Sequence, residues 1–387
     1  MQKFIFEGRS ITFMKSATVV GIVAVVLILS SVVYFMEIST VHNSSQTNTV
    51  KPIVITTPSS TLLPTVAQAS SATGQNGYVV GAWLEVSNLS GLLPTNTTPG
   101  ILVQNLSKNF GTTYLEVLSN KNSTAVSLLS TVTSPNATAY FRKLALILMA
   151  GYNFNVNKSG ELEYVYGNIS STGLALGYDG KYLVADLVKG TSNPAQSALN
   201  LLMIQYQDVL NSRPPTPSPT SIFPQEQGMR MVSWAYVNYT ALRGVNLTQS
   251  LYNNLGKYAN DLRHYESAMH QPAINLTLAY AAVYANSTSL LSVQVAEFNS
   301  SQQAQSQYQS ALNFFQSYVN YTGHSAIVST GQLDGSTYFV ANPNPLNNNT
   351  LILYAVSGNY LVTELNFAKA ASQSLLLSYL GSLLQYL

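Results

Sequence analysis

Two apolar segments far apart in the chain have nearly the same sequence, and they set the strongest constraint on the fold. GKYLVADL at residues 180–187 matches GNYLVTEL at residues 358–365. A Gln-Ser pair follows each segment after a similar interval, at Gln196 and at Gln373. A series of matches in the same order is typical of a duplicated unit. The sequence therefore predicts two homologous repeats.

Further matches lie earlier in each copy. NSTAVSLLSTV at 122–132 resembles NSTSLLSVQV at 286–295, with an Asn-x-Ser/Thr sequon at the same point. The only two tryptophans, Trp83 and Trp234, lie near the starts of the copies. Each tryptophan is either a buried anchor of the core or an exposed platform for a sugar or a peptide. Equivalent places in a duplicated fold favour the core interpretation.

Hydrophobic periodicity predicts the elements of the first copy. The expected order is three strands, a helix, three strands and a second helix: Tyr78–Val86, Thr113–Val117, Val126–Val132, helix Asn136–Ala150, Glu161–Tyr166, Gly173–Gly177, Lys181–Leu187 and helix Ala195–Leu210.

The second copy repeats this order from its second strand onward. We expect strands Ile274–Ala285 and Ser289–Phe298, helix Gln302–Val319, strands near Tyr338, Leu351 and Tyr360, and helix Ala370–Leu387, with an extra helical stretch at about 246–269. This pattern predicts an α+β fold in which each repeat is an antiparallel sheet packed by two helices on one face.

Proline-rich and Ser/Thr-rich segments divide the chain. Residues 211–228 contain five prolines between Pro214 and Pro224, which favour an extended linker. Residues 37–77 are rich in Ser, Thr and Pro and indicate a stalk. The predicted repeats are therefore residues 78–210 and 229–387.

An apolar segment precedes the stalk. Residues 17–36 carry no formal charge, and 20 helical residues span about 30 Å, the thickness of a hydrocarbon core. Lys3, Arg9 and Lys15 precede the segment and no basic residue follows until Lys51. The positive-inside rule then places residues 1–16 in the cytoplasm and residues 37–387 outside. A cleaved signal peptide is the alternative, but its apolar region is ordinarily shorter.

Sequons for N-glycosylation are more frequent than chance allows. With 34 Asn and 78 Ser and Thr among 387 residues, roughly 7 sequons are expected, whereas the chain has 15. All lie beyond the apolar segment: Asn43, Asn88, Asn96, Asn105, Asn122, Asn136, Asn157, Asn168, Asn238, Asn246, Asn275, Asn286, Asn299, Asn320 and Asn348. The excess predicts a heavily glycosylated exterior.

Composition excludes several classes of function. The absence of cysteine excludes disulfides, thiol nucleophiles and cysteine-ligated metals, and a net charge of +2 gives no electrostatic footprint for nucleic acid. Charged residues make up only 8% of the chain. Low charge, no cysteine and many sequons together resemble the surface glycoproteins of thermoacidophilic archaea, and this resemblance of composition implies an acidic exterior. A surface protein at neutral pH with a compositional bias is the alternative.

Groups that carry chemistry are sparse in the sequence. Asp261, His264 and His270 form the densest titratable cluster, and Asp261 and His264 share a helix face at i,i+3. The separation of the two histidines is not the i,i+4 spacing of helical metal ligands, so a solvated helix face is the simpler interpretation. Glu161 and Glu163 lie two residues apart on a predicted strand and are therefore expected on the same side of it.

The sequence thus predicts no catalytic, cofactor-binding or metal-binding set. We expect a non-enzymatic, membrane-anchored glycoprotein of the cell surface, whose partners are the membrane and other surface proteins or glycans. The alternative is a membrane-tethered extracytoplasmic enzyme or electron carrier with a site near Asp261 to His270. The two hypotheses differ in symmetry, because an active site requires polar residues that are present in one copy only.

Overall fold

The structure, a computed structural model, describes residues 62–87, 109–211, 223–242, 276–322, 326–343 and 348–387. The chain divides into two compact units. Within the described ranges, unit 1 comprises residues up to 211 together with 241–242, and unit 2 comprises 223–240 and the residues from 276 onward. Both are α+β, with antiparallel strands and several helices, which confirms the predicted fold class. The predicted anchor and the extra helical stretch lie outside the described residues.

The described residues of unit 1 form seven strands and three helices of eight or more residues. They are α1 (Val66–Thr73), β1 (Val79–Val86), β2 (Phe110–Ser119), β3 (Thr124–Val132), α2 (Asn136–Tyr152), β4 (Asn155–Ser159), β5 (Leu162–Ile169), β6 (Thr172–Tyr178), β7 (Tyr182–Lys189) and α3 (Pro194–Asn211). The strands are ordered β1-β2-β3-β7-β6-β5-β4 in the sheet.

Unit 2 also contains seven described strands. Its elements are β8 (Arg230–Asn238), β9 (Leu276–Ala285), β10 (Ser289–Phe298), α5 (Ser301–Thr322), β11 (Ile327–Leu333), β12 (Ser336–Ala341), β13 (Thr350–Ser357), β14 (Tyr360–Ala368) and α6 (Gln373–Leu384). A short helix, α4 (Tyr239–Leu242), follows β8, and the boundary between the two units falls within it. The order β8-β9-β10-β14-β13-β12-β11 is the order of unit 1 with every strand number raised by seven.

The two long helices of unit 1 pack on opposite faces of its sheet, so the expectation of one covered face was wrong. The ring of Phe141 in α2 stacks on Tyr178 of β6 at 5.4 Å. Gly173 of β6 instead approaches α3, since a Cβ built there would lie 2.0 Å from the carbonyl oxygen of Pro194. Residues 173 and 178 of one strand point to opposite sides.

Unit 2 has the same arrangement. Phe315 of α5 contacts Tyr354 of β13 with ring centroids 6.1 Å apart. Tyr379 of α6 contacts Tyr284 of β9. Tyr354 lies opposite Thr363 of β14. Tyr284 lies in the same cross-strand row as Asn366 of β14, with one residue of β10 between them. Because positions 363 and 366 of β14 point to opposite faces, α5 and α6 cover different sides. Both faces of each sheet therefore need apolar residues.

The end of the predicted stalk belongs to unit 1. Thr65 caps α1 in a reciprocal capping box with Gln68, and Gln68 Nε2 donates to Asp208 of α3 at 2.8 Å. Leu62 and Leu63 are buried. The stalk prediction was therefore wrong for residues 62–77, because a Ser/Thr-rich composition hid a Thr-x-x-Gln helix start.

The predicted linker also ends earlier than residue 228. Phe223 is buried, and Tyr284 donates a hydrogen bond of 2.9 Å to the carbonyl of Pro224. Prolines therefore do not prevent this segment from packing on unit 2. We call residues 223–228 the strap.

Candidate functional site

A row of polar side chains crosses the sheet of unit 1 beneath α3. Trp83 lies opposite Glu116, Glu116 lies opposite Ser127, and Ser127 lies opposite Asp186. Ala175 continues the row on β6, on the same face as Gly173 and therefore under α3. Side chains at directly opposite positions share a sheet face. We call Glu116, Ser127 and Asp186 the buried polar row.

Unit 2 has an equivalent row with different chemistry. There Trp234 lies opposite Ala282, Ala282 opposite Val293, and Val293 opposite Glu364. The tryptophan and the last carboxyl thus occupy the same places in both units, whereas Ala and Val replace Glu116 and Ser127. The polar row is therefore present in unit 1 and absent from the equivalent strands of unit 2.

Asp186 is fully buried on β7. Ser127 Oγ donates to Asp186 Oδ1 at 2.5 Å, while Oδ2 has no hydrogen-bond partner within the described part of the chain. Burial raises the pKa of Asp186 well above its usual value, and the hydrogen bond from Ser127 opposes this rise. Burial therefore favours the neutral, protonated form of Asp186.

Glu116 on β2 behaves in the same way. Its side chain is 5% exposed, and burial raises its pKa to about 8. Its Oε2 lacks a hydrogen-bond partner among the described residues. Burial thus favours the neutral, protonated forms of both carboxyls, which suit hydrogen bonding better than the binding of a cation.

Gln205 is a further buried polar side chain, and it lies on α3. It belongs to the buried side of the helix, with an exposed fraction of zero. Neither its Nε2 nor its Oε1 has a hydrogen-bond partner in the described ranges. Buried amides are ordinarily satisfied by protein or by ordered water. A site closed to solvent in this way is suited to a structural role rather than to turnover of a substrate.

Glu364 is the counterpart in unit 2, and it lies under α6. It is fully buried, and its pKa is raised by burial and then by the nearby charge of Glu226 in the strap. The hydroxyl of Tyr379 donates to that of Tyr284 at 3.0 Å, and the carbonyl of Pro224 in the strap accepts the hydrogen bond from Tyr284. The tyrosine pair therefore ties α6, β9 and the strap together on the face that holds Glu364.

The sequence contained a signal for these carboxyls. Asp186 and Glu364 occupy the same place in the two matched segments, and Glu116 interrupts the apolar run TYLEVL. A single acidic residue within an apolar strand predicts a buried carboxyl. The sequence prediction considered only clusters of titratable residues. It therefore missed these three carboxyls, which are isolated in the sequence.

The predicted site residues have different outcomes. Asp261, His264 and His270 lie outside the described residues, as do the other two histidines, His42 and His324. Within the described ranges, no group of three or more metal-ligating side chains comes together.

Glu161 and Glu163 do not share a side, contrary to expectation. Glu163 lies on β5 with its Oε1 3.7 Å from Nη2 of Arg142 in α2, whereas Glu161 lies in the preceding turn and its charge helps to raise the pKa of Tyr206 in α3. Because α2 and α3 cover opposite faces, the two carboxylates point to opposite sides. The strand begins one residue after Glu161, which breaks the assumed alternation.

Both tryptophans are buried, with exposed fractions of 3% and 9%. The core interpretation of Trp83 and Trp234 therefore holds.

The two matched sequons begin at positions that differ by two residues within equivalent turns. The side-chain oxygen of Asn120 accepts hydrogen bonds from the backbone of Asn122 and Ser123. In unit 2 the oxygen of Asn286 accepts from Thr288 and Ser289 in the same pattern. Asn286 is thus the counterpart of Asn120 and not of Asn122, so the expectation of a sequon at one shared point was wrong.

No described helix has both the length and the apolar character needed to cross a membrane.

Comparisons with known proteins leave the family open. No protein-family model and no curated protein matches the chain. Among solved structures, crystal form III of TP0453 is similar at a TM-score of 0.36 and 10% identity, covering 86% of this chain and 99% of that one. Crystal form IV of TP0453 gives a TM-score of 0.33 at 12% identity, over 79% and 94% of the two chains. TM-scores below 0.5 do not establish a shared fold or function.

Proposed function

We propose that the protein is a single-span, N-glycosylated component of the cell surface that displays two homologous α+β modules to other surface proteins or glycans. Residues 17–36 anchor it, residues 1–16 lie in the cytoplasm, and the rest lies outside. Its role is adhesion, envelope attachment or partner binding, without catalysis.

The exposure of the sequon asparagines carries this proposal. Eight of them have described side chains: Asn122, Asn136, Asn157, Asn168, Asn238, Asn286, Asn299 and Asn348. Seven of the eight are exposed, and Asn238 is half-buried. Among the 13 other described asparagines only seven are exposed. Because an attached glycan must lie in solvent, this bias supports use of the sequons as acceptors.

Duplication supports a binding role. Both units have the same strand order and the same placement of Trp83 or Trp234 relative to a buried carboxyl. We infer that they are copies of one module. Two tethered copies bind a repetitive partner more tightly than one copy does, because the second contact is intramolecular.

The buried carboxyls support an acidic exterior. Asp186, Glu116 and Glu364 are stabilised in their neutral forms by burial. Their contribution to folding is largest in acid and falls as the pH rises. A fold built in this way is suited to surroundings where most carboxyls are protonated.

Glycopeptide mass spectrometry on protein from its own membranes, combined with protease treatment of intact cells, tests the proposal. We expect glycans on most of the exposed sequons and cleavage of residues beyond 37 from outside. Unmodified sequons, or protection of the whole chain in intact cells, would overturn it.

The enzyme or electron-carrier alternative depends on Asp261, His264 and His270. Alanine substitution of these residues, followed by an absorption spectrum and a native mass of the purified protein, tests it. A visible band or a bound non-glycan mass that disappears in the variant would favour the alternative over the binding module.

A further inference from the structure

Two sequon asparagines and two tyrosines lie together on the outer strands of unit 1. Asn157 of β4 lies directly opposite Tyr164 of β5. Asn168 lies two residues beyond Tyr166 on the same strand. Opposite side chains have Cβ atoms about 4.5–5.5 Å apart, and residues i and i+2 of a strand share a face. All four side chains therefore lie on one face.

The exposure of these residues suits attached glycans. Asn157 and Asn168 are exposed, whereas Tyr164 and Tyr166 are half-buried. The two tyrosine rings lie 6.3 Å apart and are tilted by 36°. They form a continuous aromatic surface between the two acceptor asparagines. We call these four residues the tyrosine patch.

The patch borders an edge of the sheet. Among the described strands β4 is the last in the order of unit 1, and all five of its residues are exposed. Val156 is 50% exposed at the centre of this strand. An exposed edge strand presents unpaired backbone groups that invite pairing with another chain, so proteins ordinarily cover or charge such edges. Lys158 supplies one charge.

We propose that N-glycans on Asn157 and Asn168 fold back onto Tyr164 and Tyr166 and cover this edge. This inference rests on the glycosylation in the proposed function. The C–H groups on one face of a sugar ring carry a small positive charge and pack on the negative face of an aromatic ring. Tyrosine offers such a face at low cost in side-chain entropy.

A thermal-unfolding cycle on glycosylated protein tests the contact. The variants are Asn168→Gln, Tyr166→Ser and the two combined, with Asn157→Gln and Tyr164→Ser as the second pair. We expect each single substitution to lower Tm by about 1–3 °C. In each pair the double variant should lose no more than the larger single loss, because the glycan and the tyrosine act as one contact.

Two controls separate the glycan contact from other effects. Asn122→Gln removes a sequon in the β2–β3 turn and should add to Tyr166→Ser without coupling. The same tyrosine variants made in a host without N-glycosylation report the packing of the tyrosines alone, and their losses should be smaller than in the glycosylated protein.

Glycopeptide mass spectrometry measures which sequons carry a glycan, and this distinguishes failure of the glycan contact from failure of the proposed function. Glycans on Asn157 and Asn168 with fully additive Tm losses would overturn the contact and leave the proposed function intact. Glycans at other sequons but not at these two would do the same. No glycan at any sequon would overturn the contact and the proposed function together.

Discussion

Ser127 Oγ donates a hydrogen bond of 2.5 Å to Oδ1 of Asp186, the side chain directly opposite it on the neighbouring strand. In unit 2, Val293 faces Glu364 at the equivalent place and offers no hydroxyl. The two units therefore share a buried acid, but only Asp186 has a hydrogen-bond donor, because neither carboxyl oxygen of Glu364 has a hydrogen-bond partner among the described residues.

Removal of this hydroxyl should destabilise unit 1. Ser127→Ala leaves the fully buried Asp186 without its donor, and loss of such a buried partner costs about 1–3 kcal/mol in the free energy of unfolding. The pKa of Asp186 should rise further, because the hydrogen bond from Ser127 lowers it. Chemical denaturation from pH 3 to pH 8 measures both effects. Val293→Ala, at the equivalent place of unit 2, is the matched control, because the stability that it loses should not depend on pH. Equal pH profiles for the two variants would contradict the role of Ser127.

Glu116 should make unit 1 more stable in acid. Its pKa rises from 4.5 in the unfolded chain to about 8 in the folded one, so the folded state holds more protons between these values and stability falls as the pH rises through them. The stabilisation is fully present below pH 4.5 and is lost by about pH 8. Glu116→Gln should remove this slope and gain on the order of 4 kcal/mol relative to wild type at pH 8. A wild-type protein that is more stable at pH 8 than at pH 4.5 would contradict the predicted direction of this pH dependence.

Neutral variants of the equivalent carboxyls should behave alike. Asp186→Asn and Glu364→Gln keep the shape of each side chain and remove the charge that burial disfavours. We expect both variants to be more stable than wild type above neutral pH and to differ little from it in strong acid. Differential scanning calorimetry at pH 3 and pH 8 measures the two cases. A stabilisation in acid as large as that at pH 8 would show that charge is not the cause.

Gly173 should be required for the close approach of α3 to β6. A Cβ at this position would lie 2.0 Å from the carbonyl oxygen of Pro194, and the backbone there cannot move without displacing the start of the helix. Gly173→Ala should therefore cost more than about 3 kcal/mol. Gly151→Ala is the control, because Gly151 lies in α2 with no neighbouring atom within 4 Å. That variant should stabilise the helix by up to about 1 kcal/mol. Urea denaturation of both variants measures the difference in stability. Equal midpoints would contradict the close contact between Gly173 and the start of α3.

Local sequence patterns determined the elements and their order. The strand and helix predictions for both copies are confirmed at most positions, because periodicity and turn residues act over a few neighbours along the chain. Among the elements missed are α1, which starts within a Ser/Thr-rich stretch, and the edge strands β4 and β11, whose sequences NVNKS and IVSTGQL carry no buried face. The first strand of the second copy, β8, was also missed, although five of its residues are buried.

Tertiary structure alone decided which face each helix covers and which polar groups meet beneath it. The sequence determined two similar units, the acidic residue inside each matched strand and the abundance of sequons. It did not determine that Glu116, Ser127 and Asp186 form one row, because three residues on three strands become neighbours only through sheet register. The pairing of Asn157 with Tyr164 depends on register in the same way. Register is set by long-range strand pairing and burial, which a pattern of nearest neighbours does not contain.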